Sequence, residues 1–171
     1  MRLITLTSIL VLLCGAPPSA AEELSRKSGL WEVKTSIGNA SAPARVVQQC
    51  IDPATDVMLQ SVAGPFNPAT CVRADVQHEA GTTTIDFKCT VAGKSATAHT
   101  VVSGSLDSAY TMTVAAQSES LPNGKMVMTM DGKWLGPCAA DQKPGDVVLS
   151  NGMKINVPDI AKRSLSAAPP Q

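Results

Sequence analysis

The sequence predicts an all-β fold, an antiparallel meander of about seven strands that is curled or barrel-like, in the manner of lipocalins, with one short helix between strands 2 and 3. Three observations predict it. Apolar and polar residues alternate with period two from about residue 30 to 134. Gly, Pro, Asn and Asp clusters punctuate the alternation at short intervals. Thr and Val are frequent, and both favour a pleated, half-buried surface.

The elements follow in order. Trp31, Val33, Thr35 and Ile37 fall on one face of a first strand, and Glu32, Lys34 and Ser36 on the other. A small-residue loop over Gly38 to Pro43 leads to a second strand, Arg45 to Ile51. Asp52-Pro53 opens the helix: Asp52 caps free amides and Pro53 suits the first helical position. The helix is expected to run to about Gln60, and Gly64-Pro65 and Asn67-Pro68 make the return irregular. Cys71 to His78 and Thr83 to Thr90 form a hairpin around Ala80-Gly81. Ala96 to Ser103 and Ala109 to Gln117 form the next, with Tyr110, Met112, Val114 and Ala116 sharing the inner face. After the turn Leu121-Pro122-Asn123-Gly124, Met126, Met128, Met130 and Trp134 point one way, with Val127 the apolar exception on the other side. One-sided alternation leaves one face in water, so the sheet must curl around its own apolar face, and no helix long enough to cover it is evident.

Three segments are expected: a signal peptide over 1–21, one β domain over 22–138, and a C-terminal extension over 139–171. Arg2, the apolar run Leu3 to Cys14, the breakers Gly15, Pro17 and Pro18, and the small residues Ser19-Ala20-Ala21 compose the signal peptide, with the mature chain starting near Glu22. The apolar run is too short to anchor a chain across a bilayer. Cys14 is a poor lipidation site, because Leu13 precedes it where a small residue is wanted. In the extension, Asn151-Gly152 suggests a small hairpin, Pro158 to Ser166 a short helix, and Ala167 to Gln171 a disordered tail.

Composition excludes several functions. With 14 Lys and Arg against 14 Asp and Glu, the chain has no electrostatic footprint for nucleic acid. No transmembrane segment is expected in the mature chain, and the sequence leaves a protein partner open. Aromatics are few (Trp31, Phe66, Phe87, Tyr110 and Trp134), so the core depends on aliphatic and methionine side chains. Beyond Cys14 the cysteines are Cys50, Cys71, Cys89 and Cys138, an even set that reads as two disulfides in an exported chain. A zinc site is disfavoured by the absence of a CxxC pair.

Strand direction favours one pairing. If the first strand runs up, Cys50 and Cys138 come to the bottom, and Cys71 and Cys89 to the top after the helical excursion. That gives Cys71–Cys89 and Cys50–Cys138. Against it, matching Val72, Ala74 and Val76 with Cys89, Phe87 and Ile85 puts Cys71 on the wrong face; a bulge near Arg73 reconciles the two. Otherwise a three-residue turn, Glu79-Ala80-Gly81, sets Cys71 opposite Cys89 at the cost of the apolar match. The pairing Cys50–Cys71 with Cys89–Cys138 stands as the alternative.

Several of these residues together resemble a known family. Gly29-Leu30-Trp31-Glu32-Val33 is followed by Gln49-Cys50-Ile51 with Pro53, by the Cys71…Gly81…Cys89 hairpin, and by Met128-Thr129-Met130 ahead of Gly136-Pro137-Cys138. Their order resembles the bacterial envelope proteins of domain-of-unknown-function family 3617, over roughly residues 28 to 138. The resemblance implies a periplasmic location and supplies no activity and no catalytic residues. The first turn departs from the family pattern in lacking a Gly-, Met- and Pro-rich loop.

No constellation for catalysis stands out. His78 and His99 fall on different strands without a partner at metal-ligand spacing, and nucleophile-elbow and phosphate-loop motifs are absent. The expectation is a non-enzymatic exported protein without a cofactor. It either holds a small apolar ligand or lipid against Trp31, Met112, Met128 and Trp134, or serves to maintain the envelope. The competing expectation is Cu(I) handling by the stripe Met126, Met128 and Met130, since thioethers are soft ligands. Against both stands a packed core, in which the same methionines and tryptophans simply fill space.

Overall fold

A computed structural model of the chain describes residues 24–38, 43–63, 70–91 and 93–166. The segment expected as a signal peptide, Phe66, parts of three connections and the expected C-terminal tail lie outside the described residues. Nine strands form one antiparallel sheet: β1 (Gly29–Ile37), β2 (Arg45–Ile51), β3 (Cys71–Glu79), β4 (Thr82–Val91), β5 (Lys94–Ser105), β6 (Ala109–Ser118), β7 (Lys125–Gly136), β8 (Asp146–Val148) and β9 (Lys154–Asn156). Helix α1 (Pro53–Ala63) joins β2 to β3, and α2 (Val157–Ser166) follows β9.

The spatial order is β3-β4-β5-β6-β7-β1-β2-β8-β9. The meander β3 to β7 is continued by β1, because β7 pairs antiparallel with β1 over Leu30–Ile37. Closure would need a β2–β3 ladder. That link is a helix rather than a hairpin, so the sheet curls and stays open at this seam. The extra hairpin β8–β9 adds to β2 instead, pairing only at Gln48 and Gln49. Residues Arg45 to Val47 therefore have a strand partner on the β1 side alone.

Register sorts the side chains. In the row Ile85, Thr100, Val114, Met128 and Ile37, each residue is opposite the next, so all share one face across five strands. We call this face inner and the end where β1 finishes upper. At the lower end Trp31, Val33, Ile51, Val102 and Tyr110 gather with Leu59 of α1, Val147 of β8 and Val157 of α2 into the core. The sheet thus does not depend on its own face alone: two short helices complete the core that the meander begins.

Helix α1 is started by a reciprocal cap. The Thr55 amide donates to Asp52 Oδ1 at 2.8 Å, and the Asp52 amide donates to Thr55 Oγ1 at 2.9 Å. The arrangement is a capping box with Thr in place of the usual Glu. Leu59 and Asp56, at 3% and 0% exposure, mark the face that α1 buries.

Two disulfides tie the ends. Cys50–Cys138 joins the two strands that flank β1 at the lower end, and Cys71–Cys89 links directly opposed residues at the upper end. The directional pairing is the one found. The hairpin β3–β4 reconciles apolar and cysteine registers by a bulge. Near the turn Val76 faces Ile85; between Arg73 and Asp75 the register shifts by one; beyond it Arg73 faces Phe87 and Cys71 faces Cys89. The turn itself is the two-residue pair Ala80-Gly81, both at positive φ, and not the three-residue alternative.

Candidate functional site

The lower end of the inner face is filled. Trp31 is 0% exposed and its ring centroid lies 5.6 Å from that of Tyr110. Gly132 faces Tyr110 across the β6–β7 ladder, and a Cβ there would fall 2.2 Å from the tyrosine ring. Glycine is required for the ring to lie over the strand.

Arg26 and Asp56 are buried against this aromatic pair. Arg26 Nε and Nη2 donate to Asp56 Oδ1 at 2.9 and 2.7 Å, and the Arg26 amide donates to Oδ2 at 2.8 Å. Gln60 Nε2 adds a fourth bond to Asp56 at 3.1 Å. The guanidinium sits 5.7 Å from the Trp31 centroid, and burial raises the Tyr110 hydroxyl above its ordinary pKa, opposed by the nearby Arg26 charge. A charge pair so well bonded fixes the segment before β1 to α1. Trp31 Nε1 and Trp134 Nε1 hold the same segment through the carbonyls of Lys27 and Ser28, and Lys27 Nζ lies over the Trp134 ring at 3.9 Å. Trp31 thus packs in the core and Trp134 against it, at positions where the sequence also suggests an apolar ligand. Nothing in the alternation pattern marks Arg26 or Asp56, whose partners lie 30 residues apart.

The upper inner face differs. Its centre, Ile85, Thr100 and Val114, is buried, and the Thr100 hydroxyl has no hydrogen-bond partner among the described residues. Beside it runs a strip of half-buried apolar side chains. Met112 is opposite Met130, Met128 is two residues along β7 from each of Met126 and Met130, and Ile37, opposite Met128, is 52% exposed. Met112, Met126, Met128 and Met130 thus share one face.

Other candidates resolve into surface features. His99 Nδ1 meets Asp86 Oδ1 at 2.8 Å on the outer face, while His78 meets Thr83 Oγ1 at 3.0 Å on the inner one. Among the described residues no group of three or more His, Cys, Asp or Glu is placed to hold a metal. No helix among them is long and apolar enough to cross a membrane. A cleft of about 450 Å³ lies by the β8–β9 hairpin, lined by Asp141, Lys143, Asp146, Lys154 and Asn156 among others. Its charges are spent internally: Lys154 pairs with Asp141, Lys143 with Asp159, and Asn156 donates to Asp146.

The class of protein so defined is an open, curled antiparallel sheet, stapled by two disulfides and filled at one end. The family described as Protein of unknown function (DUF3617) matches residues 26–138, and the chain belongs to it. The match spans the strands β1 to β7 and both disulfides. No curated protein and no solved structure matches the chain.

Proposed function

We propose that this chain is an exported, non-enzymatic binding protein of the periplasm that seats an apolar ligand on the upper inner face. The observation that carries the reading is the strip of Met126, Met128, Met130 and Ile37 on one face, half-buried or exposed and outside the packed core, with Met112, which packs against that core, at its border. Unbranched, polarizable methionine side chains adapt to ligands of varied shape. The disulfides support folding in an oxidising compartment. Proposed boundaries are a signal peptide over 1–21, the binding domain from 22 to 138, and an extension that adds β8, β9 and α2.

The test uses a neutral fluorescent probe, N-phenyl-1-naphthylamine, whose emission rises in apolar surroundings. The wild-type protein is expected to enhance emission saturably. Met128→Asp is expected to abolish the enhancement, and Met128→Leu to retain it. Enhancement by both variants alike would place binding elsewhere and defeat the reading.

One observation favours a second reading. Opposed residues on antiparallel strands have Cα atoms roughly 4.5–5.5 Å apart, so Met130 gains a neighbouring thioether from Met112 that the stripe on β7 alone does not supply. Three sulfurs within reach of one another suit Cu(I). Titration with Cu(I) under a thiol-free reductant tests it. Stoichiometric binding lost in Met130→Leu is the result this reading requires.

A further inference from the structure

Charge on the strands is sorted by face. Every acidic strand residue described, Glu32, Asp75, Glu79, Asp86, Asp131 and Asp146, lies on the outer register. The inner register of the same strands carries no acid. It carries arginine at two places: Arg45, opposite Thr35 at the upper start of β2, and Arg73, opposite Phe87 near the upper start of β3. Both are exposed, and among the described residues no ion pair engages either. Lys94, the remaining inner-register cation at this end, is paired with Glu119 at 3.9 Å.

Arg45 and Arg73 lie at the upper ends of β2 and β3, the two strands that flank the unpaired seam. β2 and β3 would have to pair for the meander to close, and they do not. At the upper end β2 has no strand on its free side, since β8 meets only Gln48 and Gln49. The bulge between Arg73 and Asp75 matters here. By adding Ala74 it keeps Asp75 on the outer register with Asp86 while Arg73 stays inner with Phe87. Without it, one or other end of β3 would have the wrong face inward.

We propose that the upper inner face binds a single-chain amphiphile with an anionic head, a fatty-acid carboxylate, whose tail lies along the methionine strip and whose head is held at the seam by Arg45 and Arg73. The inference rests on the apolar-ligand reading above and names its substrate class. An apolar strip that shares its face with two cations, with no acid on the inner register of the described strands, has the charge pattern a fatty acid needs. A guanidinium offers its carboxylate paired donors, and charge-assisted bonds of this kind are stronger than neutral ones. A neutral lipid would leave both arginines unused.

The experiment is isothermal titration of the delipidated mature protein with oleate and with oleyl alcohol, which share a tail and differ in the head. The wild type is expected to bind oleate at least ~10-fold more tightly, the smallest gain a charge-assisted hydrogen bond brings. The double variant Arg45→Gln, Arg73→Gln is expected to bind both ligands equally, at the affinity of the wild type for the alcohol. Because both positions are exposed, folding is checked by the far-ultraviolet spectrum alone. Binding of neither ligand overturns the apolar-ligand reading itself. Equal binding of both by the wild type leaves that reading intact and overturns the head-group assignment. Oleate preference that survives in the double variant also overturns it. So does flotation with phosphatidylglycerol vesicles without oleate binding, which would make the arginines a contact with a membrane surface.

Discussion

Residues Arg26, Asp56 and Tyr110 set the stability of the filled end. A bonded charge pair is costly to break from one side, because the abandoned partner stays buried. Asp56→Ala is expected to cost about 3–5 kcal/mol in urea unfolding. Replacing both Arg26 and Asp56 with apolar residues should cost much less, and equal losses would show that the pair itself, not the orphaned charge, carries the effect. Thr100 has the opposite sign. Its hydroxyl is buried without a partner among the described residues, so Thr100→Val should leave stability unchanged or raise it by about 1 kcal/mol. Clear destabilisation would mean that the hydroxyl has a partner after all. Asp52 supplies a pH dependence. Hydrogen bonds from the Thr55 amide and hydroxyl hold its carboxyl below the ordinary aspartate value. A depressed native pKa adds stability above the unfolded value near 3.8, and that stability is lost as pH falls through the lower native value. Asp52→Ala should therefore lose about 1 kcal/mol at neutral pH and show a shallower acid limb.

Among the elements, the β3–β4 hairpin shows best what a sequence carries and what it hides. Alternation located β1, β6 and β7 because their inner faces are near-continuous apolar stripes; β2, with Arg45 and Gln49 on its inner face, alternates more weakly. The apolar stripe of β3 is interrupted, and the interruption is the bulge itself: Cys71 and Val76 demand different registers, and one extra residue satisfies both. The bulge satisfies Cys71 and Val76 and leaves Val72 exposed on the outer face. That conflict was visible in the sequence; the turn type was not, because Ala80 at φ 43 is a residue the turn disfavours. Ala80→Gly is accordingly expected to stabilise the protein by about 0.5–1 kcal/mol, read as a raised urea midpoint. The two disulfides should differ. They close loops of 18 and 88 residues, worth about 3.2 and 4.6 kcal/mol by chain entropy. Removing Cys50–Cys138 as a Ser pair should be the more damaging, and the reverse order would show that the upper hairpin depends on its bridge for more than loop closure.

For the whole molecule, openness follows from one connection. A meander whose ends pair closes into a barrel; here β7 finds β1, yet β2 leads to a helix, and the seam remains. The sequence placed the helix correctly, and the seven-strand count was right for the part it could read. It did not reveal that β8 and β9 extend the sheet from β2, since strands of three residues carry no measurable alternation. Nor did it separate the packed tryptophans from the half-buried methionines, because period two assigns a face and says nothing of what lies over it. Trp31 and Met128 have the same sequence signature and different surroundings. The central claim is that the molecule uses the methionine half to hold a ligand. Native mass spectrometry of protein taken from its own cell envelope, disulfides intact and never exposed to detergent, tests this most directly. A population heavier than the mature chain from Glu22 by the mass of one acyl compound, released on collisional activation, is the predicted result. A single bare mass across preparations, with no adduct at the gentlest conditions, would contradict it.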